Sequence, residues 1–327
     1  MKAMMCTEFG PPESLKMMQV ASPPVGKSQV RVAIHASGVN FPDTLIIQGK
    51  YQFKPAMPFA PGHEVAGDIA EVGEGVSGFK VGDRVIAMTG HGGYADEVVV
   101  DQNSLLKMPD NMSYVDGAAF TMTYGTSYYA LKQRGHLKPG EVLLVLGASG
   151  GVGLTAVELG KLMGARVIAA AGSDEKLEIT KKYGATDTIN YSKDKIRDRM
   201  KELTDGKGAD VIYDAVGGDA FDEAIRSINW YGRLLVIGFA SGRIPSLPAN
   251  LALLKSCDVV GVFYGAWRAR DPQGSRQNFK ELLDWYAAGK LKPHVSMTFP
   301  LEKAPDAMHA LLGRKATGKI ILLSGRS

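Results

Sequence analysis

The stretch EVLLVLGASGGVG, from Glu141 to Gly153, joins a run of apolar residues to a glycine-rich turn. The apolar run is typical of a buried strand. Beyond the turn, apolar residues recur at helical spacing, at Val152, Ala156, Leu159 and Met163. A strand that leads through such a turn into a helix predicts a site where backbone N–H groups bind the phosphates of a dinucleotide.

The small residues of the turn have separate mechanical roles. Gly150 lets the backbone approach a pyrophosphate, and Gly153 lets the helix pack closely on the strand. Ala148 stands where a glycine is commoner, and it fits the tight turn only if its φ is negative. We therefore predict cofactor contacts from one continuous segment, namely Ser149, Gly150, Gly151, Val152 and Gly153.

Strand and helix patterns alternate from Glu141 to Gly238, which predicts a parallel, doubly wound α/β sheet. The expected helices span residues 151–163, 174–183, a segment ending near 201, and 220–229. The first 120 residues instead alternate polar and apolar side chains between turn glycines, which predicts a small barrel or sandwich with 41–61 as a projecting loop. We predict a β-rich domain over 1–122, completed by 266–327, and a dinucleotide-binding domain over 123–265.

The strand after the glycine-rich helix indicates which dinucleotide is bound. Proteins that bind NAD carry an acidic residue at the end of this strand to hold the ribose 2′-hydroxyl, but here the position is Ala171. Gly172, Ser173 and Lys176 follow, and their hydroxyl and ammonium groups suit a 2′-phosphate. NADP(H) is therefore favoured over NAD(H), although Lys176 is equally compatible with an ordinary surface position.

Composition excludes several classes of function. The net charge of +4 is small and scattered, so nucleic-acid binding is not indicated. The two cysteines, Cys6 and Cys257, form neither a metal-type spacing nor a disulfide framework. The amino-terminal segment lacks a secretory apolar run, and the apolar run from Val259 to Trp267 is too short to cross a membrane. We expect a cytoplasmic protein with no membrane or nucleic-acid partner.

Five motifs occur in a characteristic order: GVNFPDT, PGHEVAGDIAEVG, GDRV, GASGGVG and ATGKIILL. With them, the chain resembles the medium-chain dehydrogenase/reductase superfamily over essentially its full length, and most of all the quinone oxidoreductase branch that includes zeta-crystallin. The resemblance implies a doubly wound Rossmann domain and a β-rich GroES-like catalytic domain. It also implies a homodimer in which the segment GVFYGAW pairs edge to edge.

The zinc-dependent members of that superfamily carry a cysteine ligand at the position of Asn40, followed by a His-Glu pair that here is His63 and Glu64. One histidine and one glutamate are too few ligands for a stable zinc site, so we predict no metal. Without a Lewis acid, the hydride acceptor must be electrophilic by itself. A quinone or an α,β-unsaturated carbonyl reduced by NADPH meets that condition.

The resemblance also implies roles for individual residues. It places Asn40 beside the nicotinamide and Tyr51 in the same cleft, where Tyr51 is either a proton donor or a packing residue; an ordinary phenol keeps its proton at neutral pH. Further cofactor contacts implied in this way are Thr126, Tyr129, Tyr191, Gly217, Gly238, Phe239, Phe263, Tyr264 and Lys315.

Three functions remain open at this point. The leading hypothesis is an NADPH-dependent, zinc-independent quinone reductase. The nearest alternative reduces enones or 2-enoyl thioesters. The third is a crystallin-like protein that binds NADPH without turnover.

Overall fold

The computed structural model describes residues 1–326. Strands β1 to β15 are, in chain order, Lys2–Met5, Lys16–Gln19, Gln29–Val39, Glu64–Val72, Arg84–Met88, Glu97–Asp101, Leu105–Lys107, Val142–Leu146, Arg166–Ala171, Asp187–Asn190, Ala209–Asp214, Ile228–Val236, Asp258–Gly261, Val295–Pro300 and Lys319–Leu323. Helices α1 to α11 are Phe41–Ile46, Tyr114–Ala118, Thr121–Tyr129, Gly151–Leu162, Asp174–Tyr183, Ile196–Leu203, Gly218–Ala224, Ala249–Lys255, Tyr264–Arg270, Pro272–Ala287 and Ala304–Leu312.

The chain forms two compact units. The first unit comprises Met1–Met122 and the chain from Leu283 onward, and the second unit comprises Thr123–Leu282. The sequence placed residues 266–282 in the first unit, and the structure corrects this. Side chains of α10 bind the segment 123–134: Gln133 donates to Asn278 Oδ1 at 2.8 Å, and Lys132 pairs with Glu281 at 2.6 Å.

The sheet of the second unit has six parallel strands in the order β10-β9-β8-β11-β12-β13. Numbered within the unit, the order is 3-2-1-4-5-6, the arrangement of dinucleotide-binding α/β folds. The direction of winding reverses between β8 and β11, and ligands of such sheets bind at the carboxyl ends of the strands at this switch point. The predicted α/β class and doubly wound sheet are confirmed.

The central strands of this sheet are buried on both faces. In β8, the residues from Leu143 to Leu146 are fully buried, as are Val167 to Ala170 in β9. A parallel sheet covered by helices on both faces needs such continuous apolar runs rather than alternation. β13, by contrast, is an edge strand whose side chains are mostly exposed.

The first unit is built on a seven-stranded sheet of order β14-β15-β3-β4-β5-β7, with β6 also paired to β3. β3 alternates half-buried and buried residues along most of its length, so its inward side chains pack with those of β4 and β5 in one core. β15 returns from the end of the chain and pairs antiparallel with β3, with Ile321 opposite Gly38. That pairing brings the residues around position 319 next to those around position 40.

Two predicted segments differ in the structure. The expected loop at 41–61 opens with α1, because Asn40 and Asp43 form a capping box and Pro42 occupies the first turn. The helix expected at 220–229 ends earlier, since α7 stops at Ala224 and Ile228 already starts β12.

A further difference lies in the segment GVFYGAW, for which the resemblance implied edge-to-edge pairing. β13 ends at Gly261, Phe263 lies beyond it, and Tyr264 starts α9. Both aromatic residues therefore follow the strand rather than belong to it. No helix in the described part of the chain is long and apolar enough to span a bilayer; the cytoplasmic location stays a prediction.

Candidate functional site

The glycine-rich turn lies at the switch point of the second unit, between β8 and α4. Gly147 carries the left-handed conformation, with φ +68°, and Ala148 is not among the residues with positive φ. The sequence analysis required a negative φ for an alanine in this turn, and Ala148 meets that requirement. Ala148 N–H donates to Ala170 O at 3.0 Å, which ties the turn to β9.

The two glycines of the turn differ in what surrounds them. A Cβ on Gly153 would lie 2.2 Å from the carbonyl oxygen of Gly147, so only glycine allows α4 to approach the strand end this closely. A Cβ on Gly150 would meet nothing nearer than 3.4 Å, and its φ is −78°. The protein itself therefore does not require glycine at position 150; the open space in front of it fits the close approach of a ligand.

The first turn of α4 presents backbone donors toward that space. The first helical hydrogen bond runs from Leu154 N–H to Gly150 O at 2.8 Å, so the N–H groups of residues 151–153 precede the helical bonding pattern. Free N–H groups and the helix dipole together favour a phosphate at this position.

A buried hydroxyl network bonds to this first turn, and nothing in the local sequence pattern indicates it. Ser127 Oγ donates to Val152 O at 2.8 Å and lies 2.9 Å from both Thr155 Oγ1 and Tyr213 Oη. Ser127 neighbours Thr126, for which the resemblance predicted a cofactor contact. Ser127 is buried and bonds to the first turn of α4 instead of facing solvent.

The residues predicted for the adenosine side lie together at the end of β9. Ser173 caps α5 by accepting from Lys176 N–H at 3.3 Å, and a Cβ on Gly172 would lie 3.4 Å from the ring of Tyr191. Asp174 accepts from Asn190 Nδ2 at 2.6 Å and pairs with Lys193 at 2.5 Å. The nearby carboxylate is thus engaged by its neighbours, as expected of an acid in the first turn of a helix.

Three more predicted residues meet at the ends of β11 and β12. Gly217 has φ +67°, and a Cβ there would lie 3.0 Å from Phe239; Gly238 precedes Phe239 in the adjoining loop. Asp214, which the sequence analysis did not single out, holds this loop because its Oδ1 accepts from Val216 N–H and Gly217 N–H at 2.8 and 2.9 Å. Burial raises the pKa of Asp214.

Tyr129 and Tyr264 form an aromatic group in the second unit together with Trp267, and Phe263 lines the same pocket as Tyr129 and Trp267. The Tyr129 ring stacks on Trp267 with centroids 4.3 Å apart. Tyr264 is buried, and a Cβ on Gly125 would lie 2.3 Å from its hydroxyl, whereas Phe263 is 56% exposed. Packing thus accounts for Tyr264, and the cofactor contacts predicted for this group stay predictions.

In the first unit, Asn40 belongs to a fully bonded buried network. Lys319 Nζ donates to Glu64 Oε1 and to Asn40 Oδ1, both at 2.7 Å. Asn40 Nδ2 donates to Glu64 Oε1 at 3.0 Å. The other oxygen of Glu64 accepts from Thr121 Oγ1 and Met122 N–H at 2.7 and 2.8 Å. Both charged side chains are buried, Lys319 at 5% and Glu64 at 0% exposure.

A second buried carboxylate lies beside this network. Asp43 Oδ1 contacts His63 Nδ1 at 2.5 Å, and Tyr94 Oη donates to Asp43 Oδ2 at 3.1 Å. The Tyr51 ring lies edge-on to His63, with centroids 6.3 Å apart. Burial and the Asp43 charge raise the pKa of Tyr51. Burial opposes the charged form of His63, but Asp43 outweighs it, so the pKa of His63 is raised.

Lys315, the last predicted contact, lies on the exposed loop between α11 and β15 of the first unit. Its approach to a 2′-phosphate stays a prediction.

Two family models match the chain. The alcohol dehydrogenase GroES-like domain matches residues 26–110, and the zinc-binding dehydrogenase model matches 151–288. Among curated proteins, the chain is 44% identical to a quinone oxidoreductase-like protein 2 homolog from Nematostella vectensis, over 98% of this chain and 88% of that protein. It is 34% identical to the quinone oxidoreductase of Homo sapiens, over 99% and 98% respectively.

Among solved structures, the quinone oxidoreductase of Escherichia coli complexed with NADPH superposes with a TM-score of 0.93, at 29% identity over 99% of this chain and 100% of that chain. The chain belongs to the medium-chain dehydrogenase/reductase superfamily, in its quinone oxidoreductase branch. The Rossmann and GroES-like domains expected from the resemblance are thereby confirmed.

One matching family model is named for zinc, but the residues at the corresponding positions of this chain are already bound to one another. Glu64 has no oxygen left for a metal, because Lys319 and Asn40 bind one and the Thr121 segment binds the other. The ammonium of Lys319 and the amide of Asn40 thus occupy the positions around Glu64 where a zinc ion and its other ligands would have to lie. Within residues 1–326, no cluster of three histidine, cysteine or acidic side chains could hold a metal ion. The site does not fit zinc.

The first prediction concerns the ion pair. In Lys319→Ala, the Glu64 carboxylate stays buried without its cation, and removing one partner of a buried pair typically costs about 3–5 kcal/mol. We expect a loss of that size in the free energy of unfolding, measured by urea denaturation with circular dichroism. Lys303→Ala is the matched control, because it removes an exposed pair with Asp306 and should unfold like the wild type. Similar stability of the two variants would contradict the assigned role.

Proposed function

We propose that this protein is an NADPH-dependent, zinc-independent reductase whose hydride acceptors are quinones. The observation that carries the proposal is the glycine turn at the switch point of a 3-2-1-4-5-6 sheet, with an alanine where an NAD-binding strand would end in an acid. The names of the relatives support the acceptor class, and the NADPH complex of the Escherichia coli quinone oxidoreductase supports the cofactor.

Different residues of the second unit bind different parts of the cofactor. Backbone N–H groups of residues 151–153 bind the pyrophosphate. Ser173 and Lys176 bind the adenosine 2′-phosphate, and Tyr191 covers the adenosine. The ends of β11 and β12, with Gly217, Gly238 and Phe239, border the nicotinamide half. When bound, NADPH supplies the hydride.

The first unit determines which acceptors are suitable. Its buried carboxylates are bound by Lys319 and His63, so no Lewis acid activates a carbonyl or stabilises an alkoxide there. An acceptor must spread its own negative charge after it receives a hydride. A quinone does so through its ring, and an α,β-unsaturated carbonyl does so through its enolate.

Turnover with a panel of acceptors tests this proposal. Purified protein is mixed with NADPH or NADH and a quinone, an enone, a 2-enoyl thioester or a simple ketone, and oxidation is followed by the loss of reduced-nicotinamide absorbance. We expect NADPH oxidation with quinones and none with the ketone. Faster oxidation of NADH would contradict the cofactor assignment. Preference for an enoyl thioester would contradict the acceptor class, and NADPH binding without any turnover would favour the crystallin-like alternative.

The variant Lys176→Ala tests the choice of cofactor. A hydrogen bond between a charged donor and a phosphate typically contributes about 1.5–3 kcal/mol, so we expect at least a tenfold weaker Kd for NADPH. The Kd for NADH, which lacks the 2′-phosphate, should hardly change. Lys182→Ala, at the other end of α5, is the control in the isothermal titrations. Equal losses for NADPH and NADH would remove Lys176 from the phosphate site.

The homodimer expected from the resemblance also enters the proposal. β13 is an edge strand with free backbone groups, and exposed apolar side chains lie on it and next to it in α8: Val259 at 37% and Leu253 at 78% exposure. We expect two copies to pair through this edge. Val259→Lys combined with Leu253→Lys should give monomers in sedimentation equilibrium, whereas Leu162→Lys, an exposed apolar residue of α4, should not. A monomeric wild type at micromolar concentration would exclude the pairing.

A further inference from the structure

The Asp43 carboxylate of the first-unit site is bonded on both of its oxygens. It is fully buried and accepts from Asn40 N–H at 2.8 Å, Gly62 N–H at 3.2 Å and Tyr94 Oη at 3.1 Å, in addition to its contact with His63. Four donors hold both oxygens in fixed positions. An anchored carboxylate of this kind orients an imidazole and stabilises its charged form, as in the aspartate–histidine pairs of hydrolases.

The contact with Asp43 decides which nitrogen of His63 is available. Because the carboxylate accepts, Nδ1 carries the proton that points to Asp43, and chemistry is left to Nε2. No residue in the described range 1–326 bonds to Nε2, and the side chain keeps 12% exposure. His63 therefore offers an N–H to a ligand when it is charged and a lone pair when it is neutral.

The same negative charge favours the protonated form of both neighbouring proton donors, with different consequences for each. It favours the imidazolium form of His63, which is the form that donates a proton. It disfavours the phenolate that Tyr51 would become after donating, and the pKa of Tyr51 is raised accordingly. Because the ordinary pKa of an imidazole lies much nearer neutrality than that of a phenol, the imidazole is better matched to proton transfer than the phenol that the sequence singled out.

We propose that His63, positioned by Asp43, is the residue that delivers the proton to the reduced acceptor, and that Tyr51 only lines its surroundings. This inference rests on the function proposed above. The acceptor takes a hydride from the reduced nicotinamide, and the electron pair of the adjacent π bond moves to the carbonyl oxygen. That oxygen forms a new O–H bond with the proton from Nε2, whose N–H bond breaks. His63 is left neutral, keeps its Nδ1 proton on Asp43, and regains a proton from solvent.

The groups that face His63 set the direction of its pH dependence. Asp43 and Glu64 raise its pKa, Lys319 lowers it, and His91 lies close enough for the two imidazoles to repel each other as cations. Tyr94 and Tyr51 are uncharged neighbours. Since the net effect on the pKa of His63 is upward, the donating form persists to higher pH than in an ordinary histidine. The rate should fall as the pH rises through the pKa of His63, which lies above the ordinary value of about 6.5.

Profiles of kcat against pH, measured with NADPH and a quinone, test the inference. We expect the wild type to lose activity on the alkaline side, and His63→Gln to lose about a hundredfold in kcat together with that pH dependence. Asp43→Asn should move the alkaline limb to lower pH. Because Asp43 is buried and this variant risks misfolding, Tyr94→Phe serves as a second perturbation, since it removes one donor from the carboxylate and should move the limb to higher pH. His309→Gln, an exposed histidine paired with Glu13, is the control and should behave like the wild type.

Titration of the histidine ring signals by nuclear magnetic resonance gives a readout that does not depend on turnover. The His63 signals, assigned by their loss in His63→Gln, should show the Nδ1–H tautomer and a pKa above the ordinary value. Titration at or below that value would overturn the inference, and so would an alkaline limb that persists in His63→Gln. A larger loss of kcat in Tyr51→Phe than in His63→Gln would assign the proton to the phenol instead. If the wild type oxidises NADPH with none of the acceptors, the proposed function itself is overturned. If turnover is normal but unchanged in His63→Gln, only the role of His63 is overturned.

Discussion

The buried ion pair between Glu64 and Lys319 is the interaction on which the first-unit site depends. It joins the start of β4 to the start of β15, and Asn40 at the end of β3 bonds to both charges. Two opposite charges removed from water are tolerable only if every remaining donor and acceptor is satisfied. Here the second oxygen of Glu64 is bound by Thr121 and Met122, so the arrangement is complete and Asn40 can adopt only one orientation.

A second carboxylate, Asp43, lies one helical turn from Asn40 but has a different kind of cation. Lys319 is buried and bonds to Glu64 and Asn40, and so its pair with Glu64 is structural. The cation beside Asp43 is the imidazole of His63, a group whose charge depends on pH. The two pairs thus have different roles. The Glu64–Lys319 pair fixes the backbone and the amide of Asn40, and the Asp43–His63 pair holds an exchangeable proton next to Tyr51.

The sequence predicted those features of the fold that follow from local pattern. The turn from Leu146 to Gly153, the helix that begins at Asp174 and the absence of an acid at Ala171 are all readable from neighbouring residues, and the structure places them together at the carboxyl edge of one sheet. Features that depend on distant pairing were missed. Lys319 reads as an ordinary residue at the start of a closing strand, and only the pairing of β15 with β3 reveals its contact with Glu64. Residues 266–282 were assigned to the wrong unit for the same reason, because their partners Gln133 and Lys132 lie far away in the sequence.

The imidazolium of His63 and a zinc ion would stabilise different kinds of acceptor oxygen. A zinc ion stabilises an alkoxide by direct coordination, whatever the basicity of that alkoxide. An imidazolium instead transfers a proton, and general acid catalysis is most effective when the donor and the developing anion are not too far apart in pKa. The oxygen of a hydroquinone or an enolate is much less basic than a simple alkoxide, because its charge is delocalised. A first unit that binds its carboxylates to Lys319 and His63 is therefore chemically consistent with conjugated acceptors and poorly suited to simple ketones.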